Sequence, residues 1–176
     1  MTAADATLAD VMAEMPYGLY IVGSHAADGE PNGMMADWVM QVSFAPRLVA
    51  VSFENDAHTL ENIRDAGAFT INLLGADHDG MELARGFAEP YLNTKVASRG
   101  ATTKARAHRK LTGLAYARTS RGCPVLDSAF AWMECEAQHF YPVGDHTLVV
   151  GRVVDGAVLR DVEPLTSEYT GWPYSG

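Results

Sequence analysis

The sequence predicts a mainly β fold, a closed or nearly closed barrel with a few short helices. Three observations carry this. About seven segments are rich in β-branched and aromatic residues and are separated by clusters of Gly, Pro, Asn and Asp. Helical patterns are few and short. In a chain of 176 residues, closing the sheet is the economical way to remove exposed strand edges. With 48% hydrophobic and 20% charged residues, the composition excludes disorder, collagen and coiled coil. We read residues 1–176 as a single domain, with a leading helix at about 8–15 and the barrel at about 17–170.

The elements follow in order. Leu8, Val11, Met12 and Met15 recur at helical spacing after Thr7, a plausible N-cap, and Pro16 stops the run. Tyr17–Ser24 is a strand, residues 26–33 (AADGEPNG) supply a turn, and Met34–Phe44 is a second extended run, together a hairpin. Leu48–Phe53 is continuous enough for a strand buried on both faces. Leu60 and Ile63 mark a helix over Ala57–Gly67, with Gly67 placed to end it, and Ala68–Leu74 returns to strand. A short helix is expected over MELARGFA after Asp79, then a mostly irregular stretch. Ala129–Phe140, a turn at Pro142–Asp145 and His146–Val154 form a long hairpin, joined by Ala115–Arg118 and by Thr166–Tyr169.

Charge narrows the functional classes. The formal net charge of −9 disfavours nucleic acid and anionic membrane surfaces as partners. No apolar run approaches the roughly 18 residues of a membrane helix, and the N-terminus has neither a basic nor an apolar leader pattern. A cytoplasmic protein is expected. Cys123 and Cys135 stand outside any zinc or CxxC spacing and are read as reduced thiols. The charge is nonetheless uneven: Tyr91–Leu126 carries eight basic residues and no acid (Lys95, Arg99, Lys104, Arg106, Arg109, Lys110, Arg118, Arg121). Either this is a solvated loop or helix face, or it covers a phosphate-bearing ligand.

Several chemistries lack a motif. The six histidines show no HxH or HExxH grouping, so no metal site is expected. No GxSxG, GxGxxG or P-loop is present. Two local constellations remain. In NDAHTLENI, Asn55, His58 and Thr59 precede a helix whose N–H groups and positive dipole end favour an anion; the plainer reading is that Thr59 or Asn55 caps that helix. In GDHTLVVGRV, His146 follows a tight turn and opens a strand, where an imidazole can donate a hydrogen bond or a proton near neutral pH; the plainer reading is a surface turn histidine.

Taken in order, NGMMADWVMQVSFAPRLVAVSFENDAHTLENI, GAFTINLL, ELARGFA, GCPVLDSAFAWMECE and GDHTLVVGRV resemble the flavin reductase-like family with the FMN-binding split-barrel fold, over about Tyr17–Val154. The resemblance implies an NAD(P)H-dependent flavin reductase that binds FMN, or alternatively FAD, and takes electrons from NADH or NADPH. It also implies a homodimer with flavin near the subunit interface and, in many members, a partner monooxygenase. Carried over by position, Met35, Ala36, Asp37 and Trp38 match the strand lying along the flavin, and Gln41, Val42 and Ser43 its continuation. His58 and Thr59 match the loop that meets the phosphate, beside Asn55, and His146 matches the histidine near the nicotinamide and flavin rings. Where many relatives read NGMTASW this chain reads NGMMADW, so Met35 and Asp37 replace hydroxyls. A carboxylate within about 4–6 Å of a phosphate would be repelled. Alternatives in other classes are a flavin-binding electron carrier without pyridine-nucleotide activity and a split barrel that has lost flavin. Most of Met34, Met35, Trp38, Met40 and Phe44 suit barrel interior or dimer interface better than a cofactor box, since alternate strand residues must fill a core.

Overall fold

The computed structural model describes residues 8, 10–88 and 110–172. Its main sheet is antiparallel throughout, with strands β1 (Tyr20–His25), β2 (Pro31–Ala36), β3 (Val39–Ser43), β4 (Leu48–Glu54), β5 (Ala68–Leu73), β8 (Ala131–Val143) and β9 (His146–Val158) in the order β2-β1-β5-β8-β9-β4-β3. A small second sheet pairs β6 (Tyr116–Arg118) with β7 (Pro124–Leu126). The two outermost strands of the main sheet, β2 and β3, are consecutive in the chain and joined by Asp37 and Trp38 alone. Three peptide units span at most about 11 Å, so the two edges of the sheet must come together. The result is a barrel with a seam at Asp37–Trp38.

The extended run expected over Met34–Phe44 is therefore two strands on opposite edges. The break is local: Val39 donates its N–H to the Asp37 carbonyl at 3.0 Å, a three-residue turn centred on Trp38. The hairpin of β1 with β2 is as expected, in register from Tyr20↔Ala36 to His25↔Pro31.

Strand periodicity fills two cores. Val22, Val51, Phe53, Phe69, Ile71 and Val149 line the barrel, where helix α1 (His58–Ala66) adds Leu60 and Ile63. The alternate residue Ile21, with Leu19 and Leu74, faces a second cluster against Leu83, Ala84 and Phe87 of helix α2 (His78–Phe87). Gly33 is required there, because a Cβ would stand 2.5 Å from the Phe87 ring. Asp77 caps α2 by accepting the Gly80 N–H at 2.8 Å and pairs with Arg160 at 2.9 Å. This pins the chain after β9 to the start of α2.

The long hairpin expected near the C-terminus is β8 with β9, turning on Gly144 and Asp145 only. Gly144 takes φ 63° at the first central position, as a II′ turn demands. Two expected additions to this hairpin are corrected. Ala115–Arg118 supplies β6, which pairs with β7 instead, and Thr166–Tyr169 is not a strand: Thr166 caps the short helix α3 (Ser167–Thr170), accepting the Tyr169 N–H. Residues 10–13 are helical, with Val11 and Met12 exposed. In the basic stretch, Lys95, Arg99, Lys104, Arg106 and Arg109 lie outside the described residues. The described members are engaged structurally: Lys110 donates to the Phe87 carbonyl, Arg118 to the Gly29 carbonyl, and Arg121 to Glu136.

Candidate functional site

The barrel seam and the tip of the β8–β9 hairpin meet. Ser52 of β4 donates its N–H to the Trp38 carbonyl at 3.1 Å, which fixes the Trp38 peptide on the flank of β4. The Trp38 indole lies against the His146 imidazole, ring centroids 4.9 Å apart and planes at 40°. His146 opens β9 opposite Glu54 of β4 and is half-buried. Its Nδ1 is 2.7 Å from Asp145 Oδ1. A carboxylate only accepts, so Nδ1 carries the proton and Nε2 is the nitrogen left to meet a ligand.

Asn55 holds this tip from the other side. Its N–H donates to the Asp145 carbonyl at 3.0 Å, its amide nitrogen to the Gly144 carbonyl at 3.3 Å, and its Oδ1 accepts from the Thr147 hydroxyl at 2.7 Å. Arg64 of α1 donates to the same Thr147 oxygen at 3.4 Å and sits 5.9 Å from the Phe140 ring centre. The turn before α1 and the turn before β9 are thus locked together.

Two residues after Asn55, the N-cap of α1 is Ala57, with no side chain capping the helix. The positive dipole end has no capping oxygen and favours an anion. The expectation that Thr59 or Asn55 caps the helix is corrected. His58 and Thr59 do not precede the helix but form its first turn. Thr59 is buried and accepts from the Asn32 amide at 3.3 Å, while His58 pairs with Glu61 at 3.4 Å. A helix with an uncapped N-terminus next to a tryptophan–histidine pair fits a ligand carrying both a flat ring and a phosphate.

Asp37 is half-buried. Burial pushes its carboxyl up from the ordinary value of 3.8, opposed by hydrogen bonds from its own and the Trp38 backbone N–H and by the charge of His146.

The fold brings Asp37, Trp38, Asn55 and His146 together, with His58 and Thr59 next along the chain. Ala36 faces the barrel core and Met35 packs against the second cluster. Gln41 and Val42 are exposed on edge strand β3, and Gln41 turns its amide back onto the Ser43 carbonyl at 3.1 Å. Gln41, Val42 and Ser43 lie about 10–17 Å along the strand from Trp38. Sequence reading missed Arg64 and Thr147, which meet the site across 83 residues; no local pattern carries such a contact. A cavity of about 300 Å³ between α2 and Lys110–Leu114, lined by His78, Asp79, Glu82, Phe87 and Ser128, contains none of the expected site residues. The candidate site is the seam, where the ring pair and the histidine meet and Asn55 ties them to the helix end.

The flavin reductase like domain model matches residues 12–172. The chain is 32% identical over 153 residues to the actinorhodin polyketide dimerase of Streptomyces coelicolor, covering 87% of this chain and 76% of that one. It is 30% identical over 172 residues to a flavin reductase (NADH) of Kitasatospora aureofaciens, covering 95% and 81%. Among solved structures it is similar to the flavin reductase component of a bacterial two-component tryptophan halogenase, with a TM-score of 0.73, 25% identity and 92% of each chain covered. The match spans the seam, the helix end and the histidine turn alike, so the chain belongs to the flavin reductase like domain family.

Proposed function

We propose that this protein is an NAD(P)H-dependent flavin reductase that binds FMN, works as a homodimer and passes reduced flavin to a partner monooxygenase. The observation that carries the reading is the Trp38–His146 pair at the seam, locked by Asn55 to the uncapped start of α1. Flavin, when bound, supplies the acceptor for hydride from the nicotinamide. The chain's own groups do the rest. The N-terminal turn of α1 attracts the phosphate, Trp38 offers an aromatic surface, and His146 presents Nε2 while Asp145 holds Nδ1.

Membership in the flavin reductase like domain family supports oxidoreductase chemistry on flavin, and the reductase names of the relatives support NADH or NADPH as donor. The likeness to a halogenase reductase component supports a flavin-consuming oxygenase as partner. Support for the dimer comes from the edge strand β3, which exposes Met40 (60%) and Val42 (43%), and from Phe44 (88%) just past its end. An apolar edge of this kind needs a cover.

The test is direct. Purified protein is assayed for oxidation of NADH and of NADPH with FMN and with FAD, alongside light scattering at micromolar concentration. Flavin-dependent oxidation of a pyridine nucleotide and a mass of two chains are expected. Flavin binding without nucleotide oxidation would leave an electron carrier in place of a reductase.

A further inference from the structure

His25 closes strand β1, and each of its two ring nitrogens meets a backbone carbonyl. Nδ1 lies 2.9 Å from the Ala26 oxygen, and Nε2 lies 3.0 Å from the Arg121 oxygen, 96 positions along the chain. A carbonyl only accepts, and a neutral imidazole has one N–H, so both contacts are hydrogen bonds only when the ring carries two protons. We propose that His25 is a proton-operated clasp, an imidazolium that ties the β1–β2 turn to the turn between β6 and β7 and releases it on losing its charge. This device stands apart from the flavin reductase reading.

Each turn is closed by its own bonds, which set the two carbonyls where the ring meets them. In the first, Ala26 donates its N–H to the Glu30 carbonyl at 2.8 Å and Gly29 to the Ala26 carbonyl at 2.9 Å. In the second, the Thr119 N–H donates to the Cys123 carbonyl at 2.9 Å and the Gly122 N–H to the Thr119 carbonyl at 3.0 Å, while the Cys123 N–H donates to the Thr119 hydroxyl at 3.2 Å. Gly122 takes φ 84°, and a Cβ there would stand 3.5 Å from the His25 ring, so the imidazole lies against this turn.

The charged groups about the clasp come from five elements. Asp28 and Glu30 lie in the first turn, where Asp28 accepts the Glu30 N–H at 3.0 Å. Arg118 of β6 donates to the Gly29 carbonyl at 2.7 Å. Arg121, in the second turn, donates to Glu136 of β8 at 3.2 Å and comes within 3.9 Å of Glu134, and Arg152 of β9 donates to Glu136 as well. Helix α1, which reaches β1 through the Asn62–Ser24 bond, exposes Glu61, Arg64 and Asp65. Among the described residues no carboxylate pairs with the His25 ring, so its second proton answers to the two carbonyls.

Loss of that proton leaves one N–H for two acceptors, and the other nitrogen then turns a lone pair on a carbonyl oxygen. Histidine makes this change between about pH 5 and 8. The clasp is therefore closed on the acid side and open on the basic side, while Arg118, charged throughout, keeps β6 tied to Gly29. What the proton controls is the Thr119–Cys123 turn, and through it the far end of the hairpin that continues from Lys110–Leu114, a wall of the cavity beside α2.

The test follows amide hydrogen exchange of the full chain at Thr119, Gly122 and Cys123 from pH 5.5 to 8, each rate divided by that of an unstructured peptide at the same pH. In the wild type, protection is expected to fall about tenfold as pH rises, the scale of one hydrogen bond to a charged group. His25→Phe keeps a ring against Gly122 without an N–H, and its protection should match that of the open wild type at every pH. The other five histidines remain in this variant, so a pH dependence that persists in it, or wild-type protection that does not change with pH, would overturn the proposal. A second measurement needs no variant. The 15N shifts of the His25 ring are expected to show both nitrogens protonated on the acid side, with an inflection at the pH where protection falls. A ring still neutral at pH 5.5 would overturn the clasp whatever the exchange rates do.

Discussion

Asn55 Oδ1 accepts the Thr147 hydroxyl at 2.7 Å, joining the turn after β4 to the first strand residues after His146 across 92 positions of sequence. Together with its bonds to Gly144 and Asp145, this makes Asn55 the clamp on the hairpin tip. Asn55→Ala leaves the Thr147 hydroxyl with Arg64 alone. We expect a loss of about 1–2 kcal/mol in stability and a fall in kcat larger than any rise in flavin KM. Hydrogen exchange at Asp145–Thr147 should speed up in the variant; unchanged protection there would show that the tip holds itself.

The charge of Asp37 has a stability consequence with a definite sign. Because burial raises its carboxyl in the folded chain, its contribution to stability is complete below the unfolded value near 3.8 and is lost as pH rises through the folded value. At pH 7 the native protein therefore carries a stability cost at the seam. Asp37→Asn should raise Tm at pH 7, with the gain shrinking toward zero near pH 4. A Tm difference that is the same at both pH values would mean the carboxylate is fully solvated.

Asp77 behaves oppositely. The Gly80 N–H, and after it the Arg160 guanidinium, hold its carboxyl below the ordinary range. Such a group stabilises above its unfolded value, and the contribution is lost as pH falls through the folded value. Asp77→Ala should cost about 1 kcal/mol from the lost cap at pH 7, and the difference should narrow in melts taken below pH 4. Because Arg160 also donates to the Ser128 carbonyl at 2.8 Å, Arg160→Ala should loosen both α2 and the start of β8.

What could be read from the sequence was what local chemistry decides. The helix from His58 to its stop at Gly67, strand β4 and the β1–β2 hairpin each follow from periodicity and turn residues within a dozen positions. The split at Asp37–Trp38 was hidden, because Met34–Phe44 is mostly apolar, contains no Gly or Pro, and carries Asp37 as its one charged residue; the break is made by the turn at Trp38, the Ser52 N–H and closure of the barrel. The same holds for the site. His146 was visible as a turn histidine and the α1 end as an anion site, but that Asn55 ties one to the other depends on β4 pairing with β9. β7 was overlooked because Pro124 opens a segment of only three residues. Met35 was expected along the cofactor, yet strand alternation turns its side chain toward the α2 cluster.

His146 allows the sharpest assignment. Its Nδ1 is committed to Asp145, its ring is supported by Trp38, and Nε2 is the remaining polar atom. A group placed to orient a nicotinamide or to stabilise charge that develops during hydride transfer contributes mainly in the transition state. His146→Ala should therefore lower kcat while leaving affinity for oxidised flavin within about 1 kcal/mol. Since the hydride comes from the nicotinamide and not from the imidazole, some activity should survive. His146→Gln, which can still donate and accept near the Nε2 position, should recover part of the rate. Wild-type turnover in His146→Ala would reduce the residue to a structural part of the turn, resting on Trp38 and nothing more.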